Sequence, residues 1–378
     1  MVKGGKDMII GVLKEVMVNE NRVSITPSGA NELILSGNQL LMEKDAGINS
    51  GFTNEEYVRV GVQLTDHASE VFEKADLIVK VKEPIEEEYE LIREGQVIFT
   101  YFHLAPNPKL ANVLIEKKVT AIAYETVQLP NGQLPLLTPM SEVAGRMSVQ
   151  IGAYLLQKNN NGSGVLLGGV PGVKPAEVLI IGGGVVGINA AKMAMGLGAR
   201  VTVMDINKAR LSQLDDIFSG RVVTVLYNSY DVANYVRSTD LLIGAVLVTG
   251  NRAPKTVTEE MVKTMREGSV IVDVAIDQGG TIETIDRITT HHTPYYIEHG
   301  VIHYSVANMP GAVSRTSTFA LAGATLPYIE KLAGLGIFEA VKADSALCLG
   351  VNTHDGHITH KAVAKGLGME YTELSSLI

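Results

Sequence analysis

Cysteine is almost missing from this chain of 378 residues. Cys348 stands alone, which excludes an internal disulfide framework and any CxxC zinc site and fits a reducing compartment. No stretch reaches the roughly 18 consecutive apolar residues that a membrane span needs. The opening MVKGGKD lacks the apolar core of a secretory signal and reads as a short leader. There is no basic run, and a formal net charge of −9 with a pI near 5.5 argues against nucleic acid or an anionic membrane as partner. A soluble, cytoplasmic protein acting on small molecules is expected. What is plentiful points the same way: 46% of residues are hydrophobic, which suits an α/β protein with buried parallel sheets. The length exceeds one typical core, so two domains are expected.

The most informative stretch is EVLIIGGGVVGINAAKMAMGLGARVTVMD, residues 177–205. A short β-branched run gives way to Gly182-Gly183-Gly184-Val185-Val186-Gly187, a G-x-G-x-x-G at the point where a strand should become a helix. Ala190, Ala191, Ala194 and Leu197 recur at helical spacing, and a second strand ends at Asp205. Each part has a task in binding a dinucleotide. Gly182 permits the tight turn, Gly184 lets the backbone approach a pyrophosphate, and Gly187 lets helix and strand pack closely. The helix N-terminus directs unpaired N–H groups at the phosphates. Asp205 can accept hydrogen bonds from the adenosine ribose hydroxyls and would repel a 2′-phosphate, which favours NAD over NADP. A glycine-rich turn without a ligand would not need strand, helix, second strand and acid in register.

Before this stretch, apolar runs at 8–13, 39–44, 76–81, 96–102 and 120–124 read as strands. Helical patterns at 28–36, 68–74, 87–93 and 108–117 lie between them. This alternation predicts βαβ units and a mainly parallel sheet without a glycine fingerprint. Thr138-Pro139 reads as a loop break, and a linking helix is expected over 141–158. Strands of the second domain are expected at 178–181, 200–204, 222–226, 240–246, 270–274 and 302–306. Helices follow at 316–335 and 360–367 without further βαβ units. Chain ends tend to lie together at a surface, so the tail is expected to pack on the first domain. The fold expected is a doubly wound nucleotide-binding domain, residues 136–311, inserted into a discontinuous Rossmann-like substrate domain, residues 1–135 and 312–378. His354-Asp355-Gly356-His357 with His360 has metal-binding residue types. Asp-Gly is a common hairpin turn, however, and no metal is expected.

The stretches around the fingerprint carry a resemblance. GVLKEVMVNENRVSITPSG, VKVKEP, FTYFHLA, AYETV, LPLLTPMSEVAGR, DLLIGAVL, VDVAIDQGG and VANMPGAV, with the fingerprint itself, closely resemble the alanine dehydrogenase family. That family shares ancestry with the NAD-binding subunit of transhydrogenase. The likeness spans residues 9 to about 368. Leu13 and Ala30 depart from residues common in the family and look structural. The resemblance implies an NAD-dependent exchange of L-alanine for pyruvate and ammonia. Arg22 and Lys82 would hold the substrate carboxylate, and His103 would act as general acid and base. Asp277, facing the nicotinamide, would be a second acid/base. Substrate and nicotinamide would meet across the cleft between domains. Ser141, Val186, Asp205, Val246, Leu247, Ile276, Asn308 and Met309 match positions around NAD, and homohexamers are usual.

Read alone, the same residues leave alternatives open. Arg22 can cap a loop, Lys82 can pair with Glu83, and His103 can sit satisfied at a strand end. Asp277 can make an Asx-turn, and Arg210 can reach the adenosine side or remain on a solvated face. A saccharopine- or opine-type dehydrogenase, a transhydrogenase subunit and a non-catalytic NAD-binding protein are the competing functions.

Overall fold

The computed structural model describes residues 8–246, 253–276 and 279–378. The chain forms two compact units, one built from Met1–Met140 with Val313–Ile378, the other from Ser141–Ala312.

In the first unit, β1 (Ile9–Val12), β2 (Gln39–Glu43), β3 (Gln63–Thr65), β4 (Leu77–Val79), β5 (Val97–Thr100) and β6 (Thr120–Ala123) lie parallel in the order β3-β2-β1-β4-β5-β6. The second unit repeats that order with β7 (Glu177–Ile181), β8 (Arg200–Asp205), β9 (Val223–Leu226), β10 (Leu241–Gly244) and β11 (Val270–Asp273). It adds β12 (Tyr295–Glu298) and β13 (Val301–Tyr304), giving β9-β8-β7-β10-β11-β13-β12, with only β12 antiparallel. Both are doubly wound sheets whose strand order reverses once, between β1 and β4 and between β7 and β10. Loops leaving the carboxyl ends of strands at such a reversal diverge and leave a crevice for ligands. The central strands are short, apolar and fully buried, as strands covered by helices on both faces must be.

Helix starts follow local chemistry. Thr26 caps Pro27–Leu35 through the Gly29 N–H, with Pro27 in the first turn. Thr53 and Glu56 form a capping box on Asn54–Arg59. The linking helix runs from Thr138 to Leu155, three residues earlier than expected at its start. Pro139 occupies the first turn, where its missing N–H costs nothing, so Thr138-Pro139 begins the helix rather than breaking the chain.

Three features exceed the expectation. Helix Asn54–Arg59 and the three-residue β3 are too short to show periodicity. β12 is an antiparallel edge strand. After the long helix Ser314–Leu335, β14 (Val351–His354) and β15 (His357–Ile358) add a hairpin beside β6. The hairpin turns at Asp355 and Gly356, with φ of +43° and +81°. The expected helix at 87–93 is reduced to Glu86–Tyr89. Among the described residues, no helix is long and apolar enough to cross a membrane.

The close approach of β7 and the following helix, Val185–Gly196, rests on one glycine. A Cβ on Gly187 would lie 1.8 Å from the Gly182 carbonyl oxygen, which no rotamer change relieves. Gly184 has nothing within 4 Å of an added Cβ and a φ of −68°. Gly187→Ala is therefore expected to destabilise the fold by about 3 kcal/mol. Gly184→Ala should stay within about 0.5 kcal/mol of the parent, both read by urea unfolding.

Candidate active site

The loops leaving β1, β4, β5 and β6 bring a set of charged side chains to the carboxyl edge of the first sheet. Arg22, between β1 and helix Pro27–Leu35, is buried, and a buried guanidinium must be paired. Glu20 receives a fork from it, Nε to Oε1 at 2.7 Å and Nη2 to Oε2 at 2.5 Å, while Nη1 points at Met140 Sδ, 3.0 Å away. Burial opposes both charges, yet the pairing prevails. The Glu20 carboxyl is held below the usual range, and the guanidinium above its own.

Lys82 follows β4 and is half-buried. Its carbonyl accepts the Thr100 hydroxyl at 2.9 Å. Its ammonium has no hydrogen-bond or ion-pair partner among the described residues. The charge still acts on Glu20, Glu83 and His103, which places all four side chains in one electrostatic neighbourhood.

His103, just past β5, has a φ of +46°, a conformation costly for any side chain but glycine. The Glu125 carboxylate holds it there, accepting the N–H of His103 at 2.7 Å and of Phe102 at 3.1 Å. The imidazole stacks on Tyr101 with centroids 6.0 Å apart, and its Nδ1 lies 3.3 Å from Glu83 Oε2. Burial favours the neutral ring, but the Glu83 hydrogen bond and the Glu125 charge outweigh it, raising the His103 pKa above the ordinary 6.5. A histidine with nearly half its side chain exposed, at 45%, and its proton affinity raised by a neighbouring carboxylate is equipped to exchange protons with a ligand.

Beneath these groups lies a buried layer that the sequence reading passed over. The Tyr101 hydroxyl donates to the Leu136 carbonyl at 2.5 Å, and that of Tyr124 to the Lys80 carbonyl at 3.0 Å. The two rings meet edge to face, and burial keeps both phenols protonated. Lys80 is only 1% exposed; Glu88 lies 2.7 Å from its ammonium and Glu15 3.8 Å. Glu15 also accepts the Val81 N–H at 2.6 Å, so it ties β1 to the segment carrying Lys82. In VKVKEP, just past the end of β4, Lys80 is fully buried and Lys82 half-buried. Glu15, Glu20, Lys80 and Glu125 all lie in or beside the stretches that carried the resemblance, and that was the available signal.

In the second unit, Gly182 has a φ of +105°, and an added Cβ would meet the Ala245 carbonyl oxygen at 2.6 Å. Gly184 precedes helix Val185–Gly196 without a side-chain cap, so the first-turn N–H groups face open space. Asp205, ending β8, accepts the N–H of Gly183 at 2.6 Å and of Asn207 at 2.8 Å. Arg210 Nε donates to the Gly183 carbonyl at 2.6 Å. The backbone N–H and carbonyl of Gly183, the middle glycine of the loop, are thus both held. Val186 packs toward Gly145 of the linking helix, where a Cβ would lie 2.3 Å from the Val186 carbonyl oxygen. Ser141 is half-buried in the first turns of that helix. Val246 is half-buried beyond β10, and Ile276 is buried beyond β11. Asn308, with a φ of +57°, and buried Met309 follow β13. Leu247 and Asp277 lie outside the described residues. The open space at Gly184 and the uncapped helix start fit the pyrophosphate of a dinucleotide. His354 and His357 take up their hairpin positions, His354 Nδ1 paired with the Thr120 hydroxyl at 2.9 Å.

Burial raises the Glu15 carboxyl from the ordinary 4.5 to about 7, with Lys80 and the Val81 N–H opposing. The folded chain therefore holds this proton more tightly than the unfolded chain. Glu15 progressively works against stability as pH rises from about 4.5 to about 7. Relative to Glu15→Gln, the parent should lose on the order of 1–3 kcal/mol across that window and nothing further above it, measured by urea unfolding at a series of pH values.

Comparison with known proteins agrees with this architecture. The Alanine dehydrogenase/PNT N-terminal domain family matches residues 11–144, and the Alanine dehydrogenase/PNT C-terminal domain family matches residues 148–361. An alanine dehydrogenase of Methanococcus maripaludis is 58% identical over 97% of this chain and 98% of its own. One of Staphylococcus haemolyticus is 56% identical over 98% and 99%. A solved L-alanine dehydrogenase superposes with a TM-score of 0.92 at 50% identity, covering 96% of this chain and 99% of that one. With the two domain families together matching residues 11–144 and 148–361, the chain belongs to the alanine dehydrogenase/PNT family.

Proposed function

We propose that this chain catalyses the reversible NAD-dependent oxidative deamination of L-alanine to pyruvate and ammonia, as an amino-acid dehydrogenase. The observation that carries the reading is Lys82: a half-buried ammonium without a partner among the described residues, in the same electrostatic neighbourhood as Arg22 and His103. Arg22 is charge-balanced by Glu20, so of these two cations Lys82 is the one open to a ligand carboxylate. The relatives' names, alanine dehydrogenase, supply the amino acid.

In this reading the Arg22 guanidinium, its plane set by the Glu20 fork, and the Lys82 ammonium bind the carboxylate. The bound nicotinamide supplies the acceptor for the hydride that leaves Cα. His103 takes a proton from the water that adds to the resulting iminopyruvate carbon. It then returns a proton to the departing nitrogen. Asp277 has the role of a second acid/base in the same proposal. Asp205, at the end of β8, accepts the ribose hydroxyls and disfavours a 2′-phosphate, which supports NAD rather than NADP. A cytoplasmic homohexamer completes the reading and rests on the family resemblance alone.

Alanine-dependent reduction of NAD+ at alkaline pH tests it. We expect activity with NAD+ to exceed that with NADP+, and His103→Ala to lose at least ~10²-fold in turnover while NADH still binds. Because deamination needs neutral His103 and its pKa is raised, kcat/KM should climb with pH through a value above 6.5. A preference for a long dicarboxylic amino acid conjugate, or no turnover with alanine, would defeat the assignment.

A further inference from the structure

Glu83 follows Lys82 directly, and a chain neighbour of opposite charge is the obvious partner for a lysine. The two do not pair. The Glu83 carboxylate, largely buried, turns to the imidazole of His103, where Oε2 stands 3.3 Å from Nδ1. Burial would push its proton affinity up, but His103 and Lys82 hold the carboxyl below its usual range, so it is ionised.

An ionised carboxylate only accepts hydrogen bonds, and this dictates the state of the ring. In neutral imidazole one nitrogen carries hydrogen and the other a lone pair. With Glu83 on Nδ1, the hydrogen is held there and the lone pair is left on Nε2. Neighbouring groups complete the restraint. Glu125 fixes the backbone of His103 in its left-handed conformation, and Tyr101 stacks on one face of the ring. A rigid backbone and a stacked face still leave rotation about χ2 and the choice of tautomer open, and Glu83 is the group that closes both.

We propose that Glu83 is a positioning residue of the reaction: its carboxylate holds Nδ1 of His103 and so assigns proton transfer with the substrate to Nε2. This rests on His103 being the acid and base of the proposed deamination. Glu83 touches neither substrate nor cofactor in this role. The charged and titratable groups acting on the ring are Glu83, Glu125 and Lys82, with Tyr101 neutral beneath it. Glu125 and Lys82 remain when Glu83 is changed, so the contribution of Glu83 can be isolated.

Glu83→Gln keeps the shape and removes the charge. The test follows kcat/KM for alanine against pH in the two proteins. It also follows the rate at which diethyl pyrocarbonate modifies the His103 peptide against pH, read by mass spectrometry in the absence of substrate. We expect the midpoint of both profiles to move to lower pH in Glu83→Gln. Plateau kcat should fall at least ~10-fold, as when the carboxylate orienting a catalytic histidine is lost, with little change in KM for alanine. If Glu83→Gln does not fold, Glu83→Ser gives the same comparison. Unchanged modification and rate profiles, or a loss confined to KM, would overturn the role of Glu83. A parent protein inactive on alanine would instead overturn the deamination reading, while the modification profile would still report whether Glu83 governs the ring.

Discussion

Charge placed at the buried carboxyl edge of a parallel sheet must be neutralised or put to use, and the first unit does both. Arg22 and Lys80 are as buried as core leucines, and each is matched by carboxylates, Glu20 for one and Glu88 with Glu15 for the other. Pairs of this kind contribute little net stability, because desolvation consumes most of the Coulomb gain. They supply fixed orientation. The Glu20 fork sets the plane of a guanidinium, and Glu15 ties the segment before Lys82 to β1 through the Val81 N–H. Against this compensated background, the Lys82 ammonium, without a partner among the described residues, and the titratable His103 stand out as groups left for a ligand.

The placement of those groups follows from topology. In the order β3-β2-β1-β4-β5-β6 the reversal falls between β1 and β4, and the loops after these strands carry Arg22 and Lys82. The next strand over carries His103, the one beyond it Glu125. The second unit uses the same reversal differently. There the loop after β7 is the glycine fingerprint, whose Gly183 is held through its N–H by Asp205 and through its carbonyl by Arg210, and the open helix start suits phosphate rather than carboxylate. One strand order thus yields two chemically distinct edges, decided by a handful of loop residues.

Much of this was legible in the sequence, for identifiable reasons. The central strands are β-branched and buried on both faces, so they appear as short apolar runs. The fingerprint glycines are dictated by close approach, as Gly182 and Gly187 demonstrate. The alternation of strands and helices specified doubly wound sheets. Elements that periodicity cannot register were missed: the three-residue β3, the short helix Asn54–Arg59, and the antiparallel β12 and β14, whose pairing is decided by distant partners. Pro139 was misread because proline breaks a helix inside but starts one at its first turn. Arg22, Lys82 and His103 came from motif resemblance, since isolated charges carry no spacing signal. Their companions Glu20, Glu83 and Glu125 needed the folded geometry, because residues near in sequence do not declare which way they face. Lys82 and Glu83 make the point: adjacent and oppositely charged, they form no ion pair, and Glu83 pairs with His103 instead.

The central claim is that the Lys82 ammonium, without an ion-pair partner among the described residues, takes up a substrate carboxylate. Calorimetric titration of pyruvate into the NADH-loaded protein, with Lys82→Met alongside, tests it most directly. Saturable binding in the parent, weakened at least ~10-fold in Lys82→Met as the loss of a charge-assisted contact would require, is the predicted result. Equal affinity in the two proteins would contradict it.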